Sequence, residues 1–455
     1  MDINQIVKKQ KEYFLTGKTL DITFRINGLK KLKEAIKRNE KEILTALHSD
    51  LGKSETEGYM SEVGMVYDEI NYMIKNVKSL SKIKKTKTPL VQFYSKSYIL
   101  PSPYGNVLIM SPWNYPFLLT IDPLVDALAA GNTAVLKPSN YSANTSFIIK
   151  KLISEIFPEE YVAVVEGGRE ENTELLNNKF DYIFFTGGKT VGKLVMHKAA
   201  EHLTPITLEL GGKSPCIIEE SANLKLAARR LVFGKFINSG QTCVAPDYVL
   251  VQKSVKDEFL DYVLSEIKAQ YDDGLNNDSY GKIINEKHFE RLISLISGEN
   301  VLIGGNFNED SQKITPTVLD NITLQSKVMG EEIFGPIIPI IDFDNIGDIY
   351  SIIRENDTPL ALYLFSENKA VIDEITHNIS FGGGCINDTI IHLATVNMPF
   401  GGVGQSGMGS YHGKYGFDTF SHNKSIVNKS NKLDLKIRYA PYNENKDKLM
   451  RRFMK

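Results

Sequence analysis

The chain has 455 residues, of which 42% are hydrophobic and 24% are charged, as is usual for a globular protein. This length allows two or three domains with large cores. The net charge of -2 gives no global field that would favour nucleic acid or an anionic membrane. Three cysteines are too few for a disulfide framework and indicate a reducing, cytoplasmic compartment.

Targeting and metal-binding signals are absent from the sequence. The N-terminus, residues 1–5, carries charged and amide side chains rather than an apolar run, so we expect no secretory signal. No uninterrupted apolar stretch is long enough to span a bilayer. The eight histidines are scattered without a paired ligand spacing, so the sequence predicts no metal site.

The first eighty or so residues have the pattern of helices. Asn39 and Glu42 have the spacing of a capping box, which predicts a helix that begins at Asn39. Gly52 is the predicted stop of that helix. Residues 84–103 are first basic, then β-rich and punctuated by prolines, which predicts an extended hairpin that stands off the main body.

From Tyr104 onwards, short apolar strands alternate with helices. This alternation predicts a parallel sheet with helices on both faces, in which ligands bind beyond the carboxyl ends of the strands. The predicted strands are 107–110, 133–136, 163–165 and 182–185, with a helix at 122–130. After residue 212 the alternation restarts and predicts strands 216–218 and 248–251 with helices 224–236 and 255–270.

Cys243 is the most reactive candidate of the three thiols. It follows Gly240-Gln241-Thr242, and a thiolate among small polar residues is a strong and reachable nucleophile. Cys216 lies in an apolar run and is expected to be structural. Cys385 follows three glycines and remains a competing, less favoured thiol.

Three further motifs carry polar side chains at the ends of predicted strands. Asn114 lies in the Pro-flanked segment 112–116, where it could donate into a site or cap its own turn. Glu209 lies between two leucines, where burial would suit a general base; facing water is the alternative. Glu332 belongs to an acidic pair that could also be a solvated loop.

Together these motifs resemble the aldehyde dehydrogenase superfamily. Pro-Trp-Asn (112–114), Glu-Leu-Gly-Gly-Lys (209–213), Gly-Gln-Thr-Cys (240–243) and Glu-Ile-Phe-Gly-Pro (332–336) occur in family order at family spacing. The resemblance spans residues 50–420, and the segment 398–414 is similar to the class 3 branch. It implies NAD(P)-dependent, non-acylating oxidation of aliphatic and aromatic aldehydes by a homodimer.

The resemblance also implies the catalytic roles. Cys243 attacks the aldehyde, and the Asn114 side chain with the Cys243 backbone N–H holds the oxyanion. Glu209 activates the water that hydrolyses the resulting thioester. Glu332 and Phe334 orient the nicotinamide ribose and ring.

The cofactor site implied by the resemblance lacks the common Gly-x-Gly-x-x-Gly loop. Gly187, Gly188, Val191 and Gly192 take its place at a strand-to-helix turn, where glycines let a helix N-terminus approach pyrophosphate. Gly188 and the following lysine depart from the family pattern, so only their backbone role is carried over.

Two further positions concern the adenosine ribose. Lys137 matches the family lysine that faces this ribose. Asn140 stands where family members commonly have a glutamate that grips the ribose hydroxyls, and an amide would not repel a 2′-phosphate. The sequence therefore predicts that NADP is accepted as well as NAD; a solvent-facing helix cap at Asn140 is the alternative.

The aldehyde entrance and the C-terminal tail give weaker signals. Ile391 and His392 lie in the class 3 entrance loop, and Tyr115 is expected to line the same funnel, although packing roles are the alternative. The tail, residues 431–455, is highly charged. We expect it to be solvated and to lack a stable membrane anchor, with a weak amphipathic membrane contact as the alternative.

The expected fold class is α/β, with a Rossmann-like cofactor domain, an α/β catalytic domain and a small β element for bridging and oligomerisation. Residues 1–83 and 104–210 form the predicted dinucleotide-binding domain and 211–398 the catalytic domain. Residues 84–103 and 399–430 form the predicted bridging element. The rival functions are an acylating aldehyde dehydrogenase, a nucleotide-independent cysteine acyltransferase or thioesterase, and a degenerate binding protein; Glu209 favours hydrolysis.

Overall fold

The computed structural model describes residues 2–454, which form two large sheets, a small exposed sheet and flanking helices. The strands of these residues are, in chain order, β1 (Lys84–Thr86), β2 (Ser95–Pro103), β3 (Asn106–Met110), β4 (Thr133–Lys137), β5 (Val162–Val164), β6 (Tyr182–Gly187), β7 (Ile206–Leu210), β8 (Pro215–Ile218), β9 (Tyr248–Gln252), β10 (Asn300–Ile303), β11 (Phe307–Asn308), β12 (Lys313–Ile314), β13 (Thr317–Asp320), β14 (Ile337–Phe343), β15 (Ala361–Phe365), β16 (Gly383–Ile386), β17 (Gly407–Met408) and β18 (Ser421–Lys429).

The α-helices of the same residues connect and cover these strands. They are α1 (Ile3–Leu15), α2 (Ile22–Leu51), α3 (Glu55–Gly58), α4 (Gly64–Leu80), α5 (Leu118–Ala130), α6 (Ala143–Ile156), α7 (Arg169–Asn177), α8 (Lys189–Ala200), α9 (Leu224–Phe236), α10 (Lys256–Gln270), α11 (Glu286–Ile296), α12 (Ile346–Arg354), α13 (Lys369–Asn378), α14 (Gly413–Thr419) and α15 (Glu444–Phe453). No helix within residues 2–454 is both long and apolar enough to cross a membrane.

The first large sheet has six strands in the order β17-β7-β6-β3-β4-β5, all parallel except β17. Every residue of β3 is buried. A parallel strand that is covered on both faces has a continuous apolar run as its sequence. Val107 and Ile109 join one core with α2, α4 and α5. Leu108 and Met110 join the opposite core with α1 and α8. The predicted doubly covered parallel sheet is confirmed.

The second large sheet has seven strands in the order β10-β13-β14-β9-β8-β15-β16, parallel except for β10. The predicted strands at 216–218 and 248–251 are confirmed as β8 and β9, and the two predicted helices as α9 and α10. The strands after residue 300 carried no separate prediction, because most of them span only two to five residues.

The small sheet has the order β1-β2-β18, and both pairings are antiparallel. It confirms the predicted hairpin at 84–103 and adds a strand from the C-terminal part of the chain. The segment 399–430 also supplies β17, which pairs with β7 in the first large sheet. This segment therefore links the small sheet to β7, the strand that carries Glu209.

The helix predicted to begin at Asn39 was placed wrongly, because α2 already begins at Ile22. The Asp21 carboxylate caps α2 by accepting a hydrogen bond from the Thr23 N–H at 2.9 Å. Asn39 is buried within the helix and donates to the Ala35 carbonyl at 2.8 Å. The apolar stripe that packs against α6 continues through Asn39, so tertiary packing overrides the local capping pattern. Gly52 ends the helix with φ 68°, as predicted.

Candidate active site

An apolar cavity of about 180 Å³ lies beside the thiol loop and the end of β7. Cys243 and Glu209 both line it, together with Tyr115, Ile391 and a set of mainly apolar side chains. A thiol and a carboxyl group therefore share one cavity whose walls are mainly apolar.

The turn before Cys243 has an unusual backbone. Asn238, Ser239 and Gly240 all have positive φ angles, of 53°, 51° and 75°. A Cβ on Gly240 would lie 2.2 Å from the carbonyl oxygen of Gly335. Glycine is required at this position both for the left-handed conformation and for the close approach of the two backbones.

Gln241 fixes the same loop, a role that the sequence analysis missed. Its Nε2 donates to the carbonyls of Asn238 and Lys282, both at 3.0 Å. Its Oε1 accepts the N–H of Ile284, also at 3.0 Å. The available signal was an amide two residues before the thiol, and the structure buries it fully. These three hydrogen bonds hold the loop that presents Cys243.

The Cys243 thiol is held in its neutral form. Burial raises the pKa of Cys243 to about 12, and the nearby carboxylates of Glu332 and Glu209 add to the rise. The thiol is consequently protonated at neutral pH. A nucleophilic attack by Cys243 requires a base that removes the proton as the sulfur reacts.

Glu209 is the predicted base, and it lines the same cavity as Cys243. It lies near the end of β7 and is only 3% exposed, which excludes the alternative of a glutamate that faces water. Neither carboxyl oxygen has a hydrogen-bond partner within the described residues. Burial raises the pKa of Glu209 well above its usual range, as suits a general base that works near neutral pH.

Asn114 lies against the thiol loop. Its Nδ2 donates to the carbonyl of Gln241 at 3.0 Å, which leaves its second N–H for another acceptor. The Asn114 carbonyl accepts hydrogen bonds from Lys53 Nζ at 3.1 Å and from Asn238 Nδ2 at 2.8 Å. The Pro-flanked turn and the thiol loop are therefore joined through Asn114.

A buried ion pair stabilises the Pro-flanked turn that contains Asn114. The sequence analysis missed this pair. Lys53 Nζ lies 2.6 Å from Glu62 Oε1, and both side chains are fully buried. Glu62 Oε2 accepts the N–H groups of Phe117 and Leu118 at 2.8 and 3.1 Å, at the start of α5. Lys53 Nζ also lies 3.9 Å from the centre of the Tyr115 ring. The pair fixes the chain that carries Asn114 and Tyr115.

Of the three residues predicted for the aldehyde entrance, two line the cavity and one does not. Tyr115 lines the cavity, and its hydroxyl lies 2.7 Å from Thr242 Oγ1. Ile391 lines the cavity and is 53% exposed. His392 is not brought into the cavity wall; its Nδ1 lies 3.6 Å from Cys385 Sγ. Burial lowers the pKa of His392 to about 4, so this imidazole is neutral at physiological pH.

The predicted pyrophosphate site is the turn between β6 and α8. Gly187 ends β6, and Gly188 stands at the N-cap of α8 without a side-chain cap. A Cβ on Gly188 would meet nothing within 4 Å, whereas one on Gly192 would lie 2.8 Å from a Leu210 methyl group. Val191 is 41% exposed in the first turn. An uncapped helix N-terminus that faces open space fits a dinucleotide phosphate.

Lys137 is the last residue of β4, and Asn140 follows at the same edge of the sheet. Lys137 Nζ donates to the Gly167 carbonyl at 2.7 Å, and burial lowers its pKa to about 8. Asn140 is exposed, and its Nδ2 would lie 3.5 Å from a Cβ on Gly168. The alternative of a helix cap at Asn140 is wrong, because Ser142 occupies the N-cap of α6.

Glu332 and Phe334 belong to the segment that precedes β14, and Glu332 lies near the thiol. A Cβ on Gly211 would be 2.1 Å from Glu332 Oε2, so the carboxylate rests against the glycine pair that follows β7. Burial raises the pKa of Glu332 to about 8, and Asp247 adds to the rise. Phe334 has φ 50° and packs edge-on against Trp113, with ring centres 5.4 Å apart.

Comparison with known proteins identifies the family. Residues 1–426 match the aldehyde dehydrogenase family. The chain is 48% identical to 4,4'-diaponeurosporen-aldehyde dehydrogenase of Staphylococcus aureus, over 100% of this chain and 99% of that protein. It is 44% identical to mouse "Aldehyde dehydrogenase, dimeric NADP-preferring", over 97% of this chain and 98% of that protein.

A solved structure gives the same result. The structure described as the substrate-bound state of Staphylococcus aureus AldH is 47% identical, covers 100% of both chains and has a TM-score of 0.97. The chain therefore belongs to the aldehyde dehydrogenase family, in its class 3-like branch. It is an enzyme that oxidises aldehydes to carboxylic acids with NAD or NADP, and the predicted α/β fold is confirmed.

Proposed function

We propose that this enzyme oxidises apolar aliphatic or aromatic aldehydes to free acids, with Cys243 as the nucleophile. The observation that carries the proposal is the shared cavity of Cys243 and Glu209, whose other walls are mainly apolar. An apolar pocket favours a hydrocarbon body, while a few convergent polar groups act on its reactive end. Tyr115 and Ile391 are the proposed substrate contacts.

In the first step, Cys243 Sγ forms a bond to the aldehyde carbon. The thiol proton passes to Glu209, and the carbonyl π electrons move to the oxygen. The free N–H of Asn114 and the backbone N–H of Cys243 stabilise this oxyanion. One such donor lowers the barrier by roughly 3–4 kcal/mol in other enzymes.

In the second step, the aldehyde C–H bond breaks and leaves a thioester on Cys243. A bound dinucleotide supplies the hydride acceptor. Glu209, after releasing the thiol proton to solvent, accepts a proton from water as the water oxygen attacks the thioester carbon. The C–S bond then breaks, the proton held by Glu209 passes to the sulfur and restores the thiol of Cys243, and the carboxylic acid leaves.

The residues proposed to hold the dinucleotide lie at the carboxyl ends of β4 and β6 and in the segment before β14. Gly187, Gly188, Val191 and Gly192 form the uncapped helix start for the pyrophosphate. Lys137 and Asn140 are proposed for the adenosine ribose, and Glu332 and Phe334 for the nicotinamide ribose and ring. The neutral amide of Asn140 would not repel a negatively charged 2′-phosphate. This supports the use of NADP as well as NAD.

A kinetic screen of saturated and aromatic aldehydes with both cofactors tests the proposal. We expect kcat/KM to rise with the apolar area of the aldehyde, and the values for NAD and NADP to differ by less than about a hundredfold, or about 2.7 kcal/mol. Cys243→Ser should abolish turnover, whereas the matched thiol variant Cys385→Ser should retain it. Full activity in Cys243→Ser would refute the proposed nucleophile.

Product analysis separates hydrolysis from acylation. Because Glu209 is available to activate water, the expected product is the free acid, with or without added coenzyme A. Glu209→Gln should lower kcat by roughly 10²–10⁴-fold, because both the attack of Cys243 and the hydrolysis of the thioester lose their base. A coenzyme A thioester as the main product would favour an acylating enzyme instead.

We also propose that the enzyme is a cytoplasmic homodimer. All three cysteines are free, which suits a reducing compartment, and the mouse relative is named as dimeric. The exposed three-stranded sheet is the proposed bridge between the two copies. α15 has no buried residue, which supports a solvated C-terminal tail.

A further inference from the structure

Three buried side chains meet beside the aldehyde cavity. They are Glu69 from α4, Asp122 from α5 and His412, which directly precedes α14. Each offers one ligand atom within 4.8 Å of the other two. All three line a second, polar cavity of about 590 Å³, and His412 also lines the aldehyde cavity.

The separations within this cluster are too long for hydrogen bonds but suit a shared ion. His412 Nδ1 lies 3.7 Å from Glu69 Oε2 and 3.8 Å from Asp122 Oδ2. Around a tetrahedral ion bound at ~2.1 Å, neighbouring ligand atoms lie ~3.4 Å apart. A small inward movement of the three side chains would therefore complete such a shell.

The unpartnered carboxyl oxygens of the cluster suit a cation. Asp122 is 1% exposed, and its Oδ1 has no hydrogen-bond donor within the described residues. Asp126, one turn further along α5, is fully buried with both oxygens unpartnered in the same range. Within residues 2–454, no lysine or arginine forms an ion pair with Glu69, Asp122 or Asp126. Unpaired buried carboxylates are costly, and a bound cation would offset that cost.

The cluster is also held in place before any ion binds. The Gly413 N–H donates to both oxygens of Glu69, at 2.9 and 3.1 Å. Gly413 itself has φ 53°, and a Cβ there would lie 2.0 Å from the Val396 carbonyl oxygen. This close packing fixes the backbone beside His412 against α4. The ligand atoms therefore come from rigid parts of the fold.

We propose that Glu69, Asp122 and His412 bind a divalent transition-metal ion of the Mn²⁺ or Zn²⁺ type. Carboxylate oxygens suit Mn²⁺, and an imidazole nitrogen suits Zn²⁺ and its neighbours, so the mixed set favours this class over Mg²⁺ or Ca²⁺. The ion would join α4 and α5 to the loop that forms one wall of the aldehyde cavity. The three ligands lie far apart in the sequence, which is why the histidine spacing predicted no metal site.

Titration of the full-length, chelator-treated enzyme with Mn²⁺, followed by electron paramagnetic resonance, tests the site. We expect about one bound Mn²⁺ per chain and a higher Tm in its presence. Glu69→Gln and Asp122→Asn should each weaken Mn²⁺ binding by roughly a hundredfold. Asp68→Asn is the matched control, because Asp68 lines the same cavity but lies outside the cluster.

Stability measurements distinguish a metal site from a purely structural cluster. Without metal, Asp122→Asn should be at least as stable as the unmodified enzyme, because it replaces a buried carboxyl group that has no lysine or arginine partner with a neutral amide. With Mn²⁺, only the unmodified enzyme and Asp68→Asn should gain stability. A lack of Mn²⁺ uptake by the unmodified enzyme, or equal uptake by Glu69→Gln and Asp122→Asn, would overturn the proposal.

Discussion

At the scale of single residues, Cys243 combines a nucleophilic atom with surroundings that keep it protonated. The apolar cavity that suits a hydrocarbon substrate also raises the pKa of the thiol to about 12. The same burial raises the pKa of Glu209. Both groups are therefore neutral more often than in water, and each must lose its proton before Cys243 can act as a nucleophile or Glu209 as a base.

The pH dependence of Cys243 alkylation tests this view. Below a pKa of about 12, the thiolate fraction rises about tenfold per pH unit. We expect iodoacetamide modification of Cys243 in the cofactor-free enzyme to keep rising from pH 7 to pH 10, as followed by peptide mass spectrometry. Glutathione, with an ordinary thiol pKa near ~8.5–9, should level off in that range. If the modification of Cys243 levelled off below pH 9, the pKa of the thiol would be lower than expected here and the thiol would be activated.

At the scale of elements, the position of the thiol depends on the turn between α9 and Cys243. Three successive positive φ angles reverse the chain, and the close contact of Gly240 with Gly335 holds the turn against the loop that carries Phe334. The turn thus couples the proposed nucleophile to the proposed nicotinamide site. A small backbone shift here would move the sulfur relative to both its base and its substrate.

Two glycine variants separate backbone strain from this close contact. Gly240 has φ 75° and Gly298 has φ 86°, but a Cβ on Gly298 would meet nothing within 4 Å. Gly298→Ala should lower the free energy of unfolding by about 1–2 kcal/mol and leave kcat unchanged. Gly240→Ala should in addition lower kcat by roughly a hundredfold, because a displacement near 1 Å suffices for such a loss.

Urea denaturation and steady-state kinetics measure the two effects separately. Normal kcat in Gly240→Ala would mean that the Gly240–Gly335 contact does not position the thiol.

At the scale of the whole molecule, the small sheet β1-β2-β18 has an exposed strand edge. β2 is paired on both sides, whereas one edge of β18 has no partner strand within the described residues. Val427 in this strand is 51% exposed. Exposed strand edges and apolar side chains favour pairing with another chain, which supports the proposed homodimer.

Light scattering on β18 variants tests the dimer. The unmodified enzyme should have twice the chain mass of 51.1 kDa. Val427→Asp should yield monomers with unchanged circular dichroism, because it places a charge on the exposed face of the sheet. Asn428→Asp is the control, since successive strand residues face opposite sides, and it should remain dimeric. A single-chain mass for the unmodified enzyme would contradict the proposal.

The sequence by itself determined the elements whose signals are local. Apolar runs marked β3, β4, β6, β8 and β9, and the motifs around Glu209 and Cys243 pointed to the residues that now share a cavity. The predictions from these signals agree with the structure because strand burial and the spacing of short motifs depend on neighbouring residues in the chain.

Only the tertiary structure decided the contacts between distant segments. The start of α2, the Lys53–Glu62 pair and the turn of His392 towards Cys385 each depend on packing against another part of the fold. The cluster of Glu69, Asp122 and His412 is of the same kind. Burial and electrostatics at these places are set by which segments meet in space, and periodicity along one segment carries no information about its partner.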